Sequence, residues 1–335
     1  MESTTPRIHQ TRDATAHAVV TYHWWQDETF GEERTVPPYQ NLRVPITLSI
    51  ATLRAQNPTI PIKILDFSEY PEDWGCFPEK LNFEVINADL FLKDYSHIAG
   101  YRQLSRIFDI RRHFTSGTVI YCDSDVFWFK DPLPLNKNPQ KFCYDGYNSG
   151  FFYYNPEDNQ EIIDIFEKMT FRVLEDPEFH QVVKKFSKHD FWSYIWDESI
   201  LHYMMFIDYR NYFDRLDLAE HTFCYKLKQT PLQNMKMLHG NGLMVSNPVA
   251  KRESEKEDSR GLACLVFSEF YQSLKKVLSL EEIQMIFTQQ ELDYYLPHQY
   301  SLVRDFARLD RTRRPGDPWH RYLIDSLNPA KKLWF

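Results

Sequence analysis

Nowhere in the 335 residues do eighteen apolar residues run together, and the opening Met1-Glu2-Ser3-Thr4-Thr5-Pro6 has no basic stretch leading into an apolar one. Neither a membrane-spanning helix nor a secretory leader is expected, so the chain reads as soluble or peripheral to a membrane. No Asn-x-Ser/Thr acceptor occurs except where proline blocks it, at Asn57-Pro58-Thr59, which fits a protein that is not secreted. The five cysteines (Cys76, Cys122, Cys143, Cys224 and Cys264) form no Cys-x-x-Cys pair, are odd in number and sit mostly among apolar neighbours. That usage points to reduced core thiols and a cytoplasmic setting. A basic field is also missing: the net charge is −8, which argues against nucleic acid as the main partner. Internal repeats and low-complexity tracts are absent as well.

What is present is a chain that is 43% hydrophobic and 16% aromatic, enough to bury a substantial core. Residues 1–16 are polar and aperiodic and read as a loose leader. Ala18 to Tyr22 is a strand-type run; Pro45 is expected to open a helix with Ile46, Ile50 and Leu53 on one face, and Asn57-Pro58 to close it. Ile60–Leu65 and Phe83–Ile86 read as further strands, so strands alternate with a helix as in a parallel, doubly wound sheet. In such sheets ligands bind beyond the carboxyl ends of the strands, and residues there are where chemistry is sought.

The spacing next predicts a helix over Tyr101–His113, with Leu104, Ile107 and Phe108 on a core face and Arg102 and Arg106 one turn apart on another. Thr118 to Cys122 is a buried-type strand, followed at once by Asp123-Ser124-Asp125 and an aromatic run to Phe129. Paired carboxylates at a strand's carboxyl end suit a hard cation, Mg²⁺ or Mn²⁺, with a diphosphate supplying further oxygens. Solvated turn acids are the bland alternative. Further on come Lys141–Tyr144, Asn148-Ser149-Gly150 with four aromatic residues behind it, a helix near Glu161–Met169 and another over Glu198–Met205. Lys251–Arg260 is charged and aperiodic and reads as an exposed loop ahead of a mainly helical end, residues 261–335.

With these landmarks the chain resembles the GT-A glycosyltransferases, most of all the retaining family-eight type that includes bacterial lipopolysaccharide galactosyltransferases and glycogenin. That family places an Arg-Leu pair seventeen residues before its first metal aspartate; here the position is Arg106, followed by Ile107. Its strand pattern Lys-Val-Ile-Tyr-Leu-Asp-x-Asp is similar to Thr118 through Asp125, and its Asn-Ala/Ser-Gly to Asn148-Ser149-Gly150. Its Asp-Gln-Asp resembles Asp197-Glu198-Ser199, and its late His-x-x-Gly resembles His239 to Gly242. Two positions depart: Glu198 stands where the family has Gln, and Val245 replaces a lysine that contacts the diphosphate.

The resemblance implies an α/β GT-A fold over residues 17–250, a mostly parallel Rossmann-like sheet flanked by helices, with a helical C-terminal extension. It further implies a metal-dependent transfer of a hexose from a UDP-sugar to a saccharide or lipid-linked hydroxyl, with retention. Asp123, Asp125 and His239 would hold the Mn²⁺ or Mg²⁺. Thr21, Tyr22, Arg106, Asp123, Ser124, Asp145 and Asn148 would bind the donor, Tyr22 by stacking on its base. Asp197 and Glu198 would stand near the anomeric carbon, although carboxylates at a helix N-terminus also serve as caps. The basic and aromatic C-terminal segment, with Arg304, Arg308, Arg311, Arg313, Arg314 and Trp319, offers a peripheral membrane contact or an exposed helical face. A sugar-nucleotide pyrophosphorylase and a non-catalytic nucleotide-sugar-binding protein are the other readings. The Gly-rich basic loop that a pyrophosphorylase carries after its first strand has no counterpart in Tyr22-His23-Trp24-Trp25.

Overall fold

The computed structural model describes residues 17–24, 40–68, 74, 77–98, 100–146, 148–186, 195, 197–217, 221–223, 235–239 and 273–286. The expected leader, the charged stretch 251–260, residues 240–245 and the arginine-rich C-terminal end lie outside the described residues.

Four parallel strands run from one edge of the larger sheet to its centre: β1 (Ala18–Trp24), β2 (Ile62–Asp66), β3 (Glu84–Asn87) and β4 (Thr118–Cys122). The sheet is completed by β6 (Phe142–Tyr144), β7 (Phe151–Tyr154) and β8 (Phe213–Arg215), giving the order β3-β2-β1-β4-β7-β6-β8. Among these seven, β7 alone runs against the rest. A second, three-stranded sheet is built from β5 (Val126–Trp128), β10 (Met237–His239) and β9 (Thr222–Phe223), with β10 in the middle. The α/β architecture expected from the alternation of strands and helices is therefore present. Among the described residues no helix is long and apolar enough to cross a membrane.

Every residue of β1 and β4 is buried, as the period-two pattern requires when helices cover both faces. One face carries Val20, Tyr22, Ile120 and Cys122 against α1 (Gln40–Gln56), whose Ile46, Ile50 and Leu53 are fully buried. The opposite face carries Val19, Val119 and Tyr121 against α2 (Tyr101–His113), α3 (Gln160–Glu175), α4 (Pro177–Lys184) and α5 (Asp197–Tyr203). Burying each large apolar side chain of these faces contributes about 1.5–3 kcal/mol.

Two expectations need correcting. Pro45 does not open the first helix but lies inside it, the helix starting at Gln40; one interior turn simply forgoes the hydrogen bond that the missing N–H would make. The helix expected over Glu198–Met205 stops at Tyr203 and continues as a π-turn, Met204–Asp208, closed by the Tyr209 N–H on the Met204 carbonyl.

The strand order fixes where a ligand fits. From β1 the chain moves outward through β2 and β3, then returns to place β4 on β1's other side. The crevice between the carboxyl ends of β1 and β4 is thus the switch point of the sheet, and Asp123 is the first residue past β4.

Candidate metal centre

Residues Asp123 to Asp125 form the tight connection between β4 and β5. The Asp123 N–H donates to the Gly150 carbonyl at 2.7 Å, and the Val126 N–H donates to the Asp123 carbonyl at 3.1 Å. β5 is then pinned by α1: Ser49 Oγ donates to the Val126 carbonyl and Thr52 Oγ1 accepts the Trp128 N–H at 3.0 Å. Pairing of β5 with β10 sets Val126 opposite His239. That register carries a residue more than a hundred positions away to the side of Asp125.

The outcome is one cluster. One carboxylate oxygen each from Asp123 and Asp125 and a ring nitrogen of His239 lie within 4.8 Å of one another. His239 Nε2 stands 3.2 Å from Asp125 Oδ1 and 3.8 Å from Asp123 Oδ2. Ligands at right angles around a Mg²⁺-sized ion stand about 3 Å apart, so these separations suit a shared cation. Gly150 forms the floor: a Cβ there would meet His239 Cε1 at 2.2 Å and Asp123 Oδ2 at 2.5 Å. Two carboxylates and one imidazole offer the mixed oxygen and nitrogen donors of a divalent-cation site, and the missing Cβ leaves room for the side chains to converge.

No protein-family model and no curated protein matches the chain. Solved structures do. The chain is similar to the glycosyltransferase GlyE of Streptococcus pneumoniae TIGR4, at 16% identity and a TM-score of 0.47 over 77% of this chain and 63% of that one. It is similar to the galactosyltransferase LgtC in complex with donor and acceptor sugar analogues, at 12% identity and a TM-score of 0.48 over 79% and 98%. It is also similar to apo mouse xyloside xylosyltransferase 1, at 13% identity and a TM-score of 0.41 over 67% and 97%. The chain thus spans under two thirds of GlyE's length.

Around the cluster the charges are interlocked. Arg106 Nη1 donates to the Ser149 carbonyl at 3.0 Å and lies 3.4 Å from Asp123 Oδ1, its Nε lies 3.5 Å from Asp197 Oδ2, and the guanidinium sits 4.9 Å from the centre of the Tyr121 ring. Burial opposes its charge, but Asp197, Tyr121, Asp123 and Glu198 outweigh burial and hold its pKa above the ordinary arginine value. Arg106, expected to bind the donor, is placed with its buried guanidinium against Asp123, Asp197 and the Ser149 turn. Tyr121, whose phenol burial pushes well above its usual range, donates its O–H to Asp123.

Asp197 is fully buried. It accepts from Ser149 Oγ and from the Glu198 N–H, each at 2.8 Å, and burial raises its pKa against the pull of Arg106 and Ser149. It therefore anchors the site, while Glu198, 3% exposed at the first turn of α5, is its neighbour. Asn148 shapes a turn: its Oδ1 accepts the Gly150 N–H at 2.6 Å, and its own N–H donates to Asp145 Oδ1 at 2.8 Å. Ser124 is half-buried between the two acids.

Thr21 and Tyr22 are corrections. β1 runs on to Trp24, so neither residue stands at the strand's carboxyl end. Tyr22 is 1% exposed and its hydroxyl lies 2.8 Å from Ser49 Oγ; Thr21 is fully buried on the other face. A ring enclosed on both sides has no face left for a base. Asp145, expected to bind the donor, lies 3.2 Å from His221. His221 was not among the expected residues, and it is buried with its Nε2 3.0 Å from His239 Nδ1. A histidine beside a two-residue strand leaves no periodic signal that could have flagged it.

Proposed function

We propose that this chain is a GT-A type glycosyltransferase that uses a divalent cation, Mn²⁺ or Mg²⁺, to transfer a hexose from a UDP-sugar to a saccharide or lipid-linked hydroxyl with retention. One observation carries the reading: Asp123, Asp125 and His239 converge on a cation-sized point at the switch point of a mostly parallel sheet. In this reading those three side chains hold the cation. Once bound, it neutralises the donor diphosphate as that group departs, so that no strong acid is needed there.

The chain's own residues do the rest by preorganisation. Arg106 and the Tyr121 hydroxyl fix the rotamer of Asp123; Gly150 keeps the floor open. Asp197 holds Arg106 and the Ser149 hydroxyl in place, which leaves Glu198 as the carboxylate facing the developing positive charge at the anomeric carbon. A negative group placed there before reaction stabilises such a centre without reorganising.

The test is release of UDP from a panel of UDP-sugars in the presence of Mn²⁺, with and without EDTA and an oligosaccharide acceptor. At least one donor is expected to give turnover that EDTA and Asp125→Ala each abolish. Turnover indifferent to both treatments would defeat the metal assignment, and tight donor binding without UDP release would make the chain a binder.

A further inference from the structure

Behind the cation-facing side chains runs a second line of polar groups that donor chemistry alone does not require. The rings of His221 and His239 are stacked, 5.2 Å between centres and 15° between planes, with His221 Nε2 3.0 Å from His239 Nδ1. His221 Nδ1 lies 3.2 Å from Asp145 Oδ2, and Asp145 Oδ1 accepts the Asn148 backbone N–H. The small sheet sets this up, since it pairs His239 with Phe223, and His221 stands two residues before Phe223, just ahead of β9. The Phe151 ring, edge-on at 5.3 Å, walls His221 in.

When His221 is neutral, the charge beside it favours one order of donors and acceptors along this line. The Asp145 carboxylate, at ion-pair distance from His221 Nδ1, favours the hydrogen on that nitrogen; Nε2 then presents a lone pair, and His239 Nδ1 donates to it. Once His239 is neutral, its lone pair is thereby left on Nε2, the nitrogen that faces Asp125 and Asp123. Had the hydrogen settled on Nε2, the imidazole could not ligate an ion there.

We propose that Asp145 and His221 are a positioning pair that fixes the tautomer and ring orientation of His239, and through it the affinity of the site for its cation. The proposal rests on the reading of Asp123, Asp125 and His239 as cation ligands. Neither Asp145 nor His221 touches the ion or the donor in this role. A pair of buried histidines packed only for shape would leave ion affinity unchanged when their hydrogen-bonding sense is reversed.

Asp145→Asn makes that reversal at constant shape. The amide must offer its oxygen to the Asn148 N–H, which turns its NH₂ toward His221 Nδ1; each bond down the line then changes direction and His239 carries its hydrogen on Nε2. Mn²⁺ affinity measured by titration calorimetry on the full chain, with no nucleotide present, is expected to fall about 10- to 100-fold, the range for outer-shell partners. His221→Phe should fall as far, whereas His221→Gln, which keeps one acceptor and one donor, should recover most of the affinity. Thermal melts of each variant check folding, and Asp145→Asn with His221→Gln carries the test should His221→Phe not fold. If Asp145→Asn and His221→Phe bind Mn²⁺ like wild type while Asp125→Ala does not bind, the pair has no such role and the cation site stands. If the wild type itself binds no Mn²⁺, the cation reading falls and takes the proposal with it.

Discussion

β1 and β4 are parallel neighbours in the middle of one sheet, paired residue for residue from Ala18↔Thr118 to Thr21↔Tyr121, yet only β4 delivers side chains to the site. β4 ends at Cys122, so Asp123 emerges where helices no longer cover the sheet. β1 continues through Tyr22 and His23 to Trp24, and those side chains are absorbed: Tyr22 by Ser49, and His23 by Asp109 at 3.2 Å with both side chains fully buried. The lesson is that a residue's role follows from where its strand stops, more than from its chemical suitability for a ligand.

Removing what β4 delivers should have the largest effect. Asp125→Ala takes away a proposed ligand with 10% side-chain exposure, and Mn²⁺-dependent UDP release should drop by more than about 100-fold, beyond the range of outer-shell changes. Next comes the floor under the acids. Gly150→Ala forces a methyl against His239 and Asp123, so a stability loss of about 1–3 kcal/mol in urea unfolding is expected, accompanied by weaker Mn²⁺ binding.

Substitution in β1 should read out as structure only. Tyr22→Phe loses one buried hydrogen bond and should cost about 1 kcal/mol, with the donor KM within about two-fold of wild type by steady-state kinetics. A KM raised tenfold at unchanged stability would put Tyr22 back at the base and dissolve the contrast between the strands.

The smallest expected effect is one of pH. Burial disfavours a charged His239, but Asp125 and Asp123 outweigh burial and hold its pKa above the ordinary histidine value. In EDTA the folded state then keeps a proton that the unfolded chain has released, so this stabilisation is complete below about pH 6.5 and fades as pH rises through the raised value. His23 and His221, whose burial holds their pKa down, act in the opposite sense and below that window. Thermal melts in EDTA should therefore show stability declining above about pH 6.5, and Mn²⁺ should flatten the decline.

Some of this could be read from the residues alone. Thr118–Cys122 is apolar enough to be a buried strand and the acids cannot follow it inside, so both the strand and its end were clear. Tyr101–His113 was equally plain, because its apolar positions recur at helical spacing. The end of β1 was not clear, since Tyr22-His23-Trp24 looks like a polar aromatic loop until Asp109, far along the chain, is seen to neutralise the polarity of His23. Arg106 was found as a site residue, but its partners Asp123, Ser149 and Asp197 come from separate segments, so the direction of its guanidinium could not be read. The same applies with more force to His221: its relation to His239 exists only through the β9–β10 register.

The central claim is that Asp123, Asp125 and His239 share one cation. Titration calorimetry of the full chain with MnCl₂ tests it directly, using wild type beside Asp125→Ala and His239→Ala. One equivalent bound by the wild type and lost in both variants is the expected result; a wild type that binds none, or a His239→Ala that binds as tightly as wild type, would contradict it.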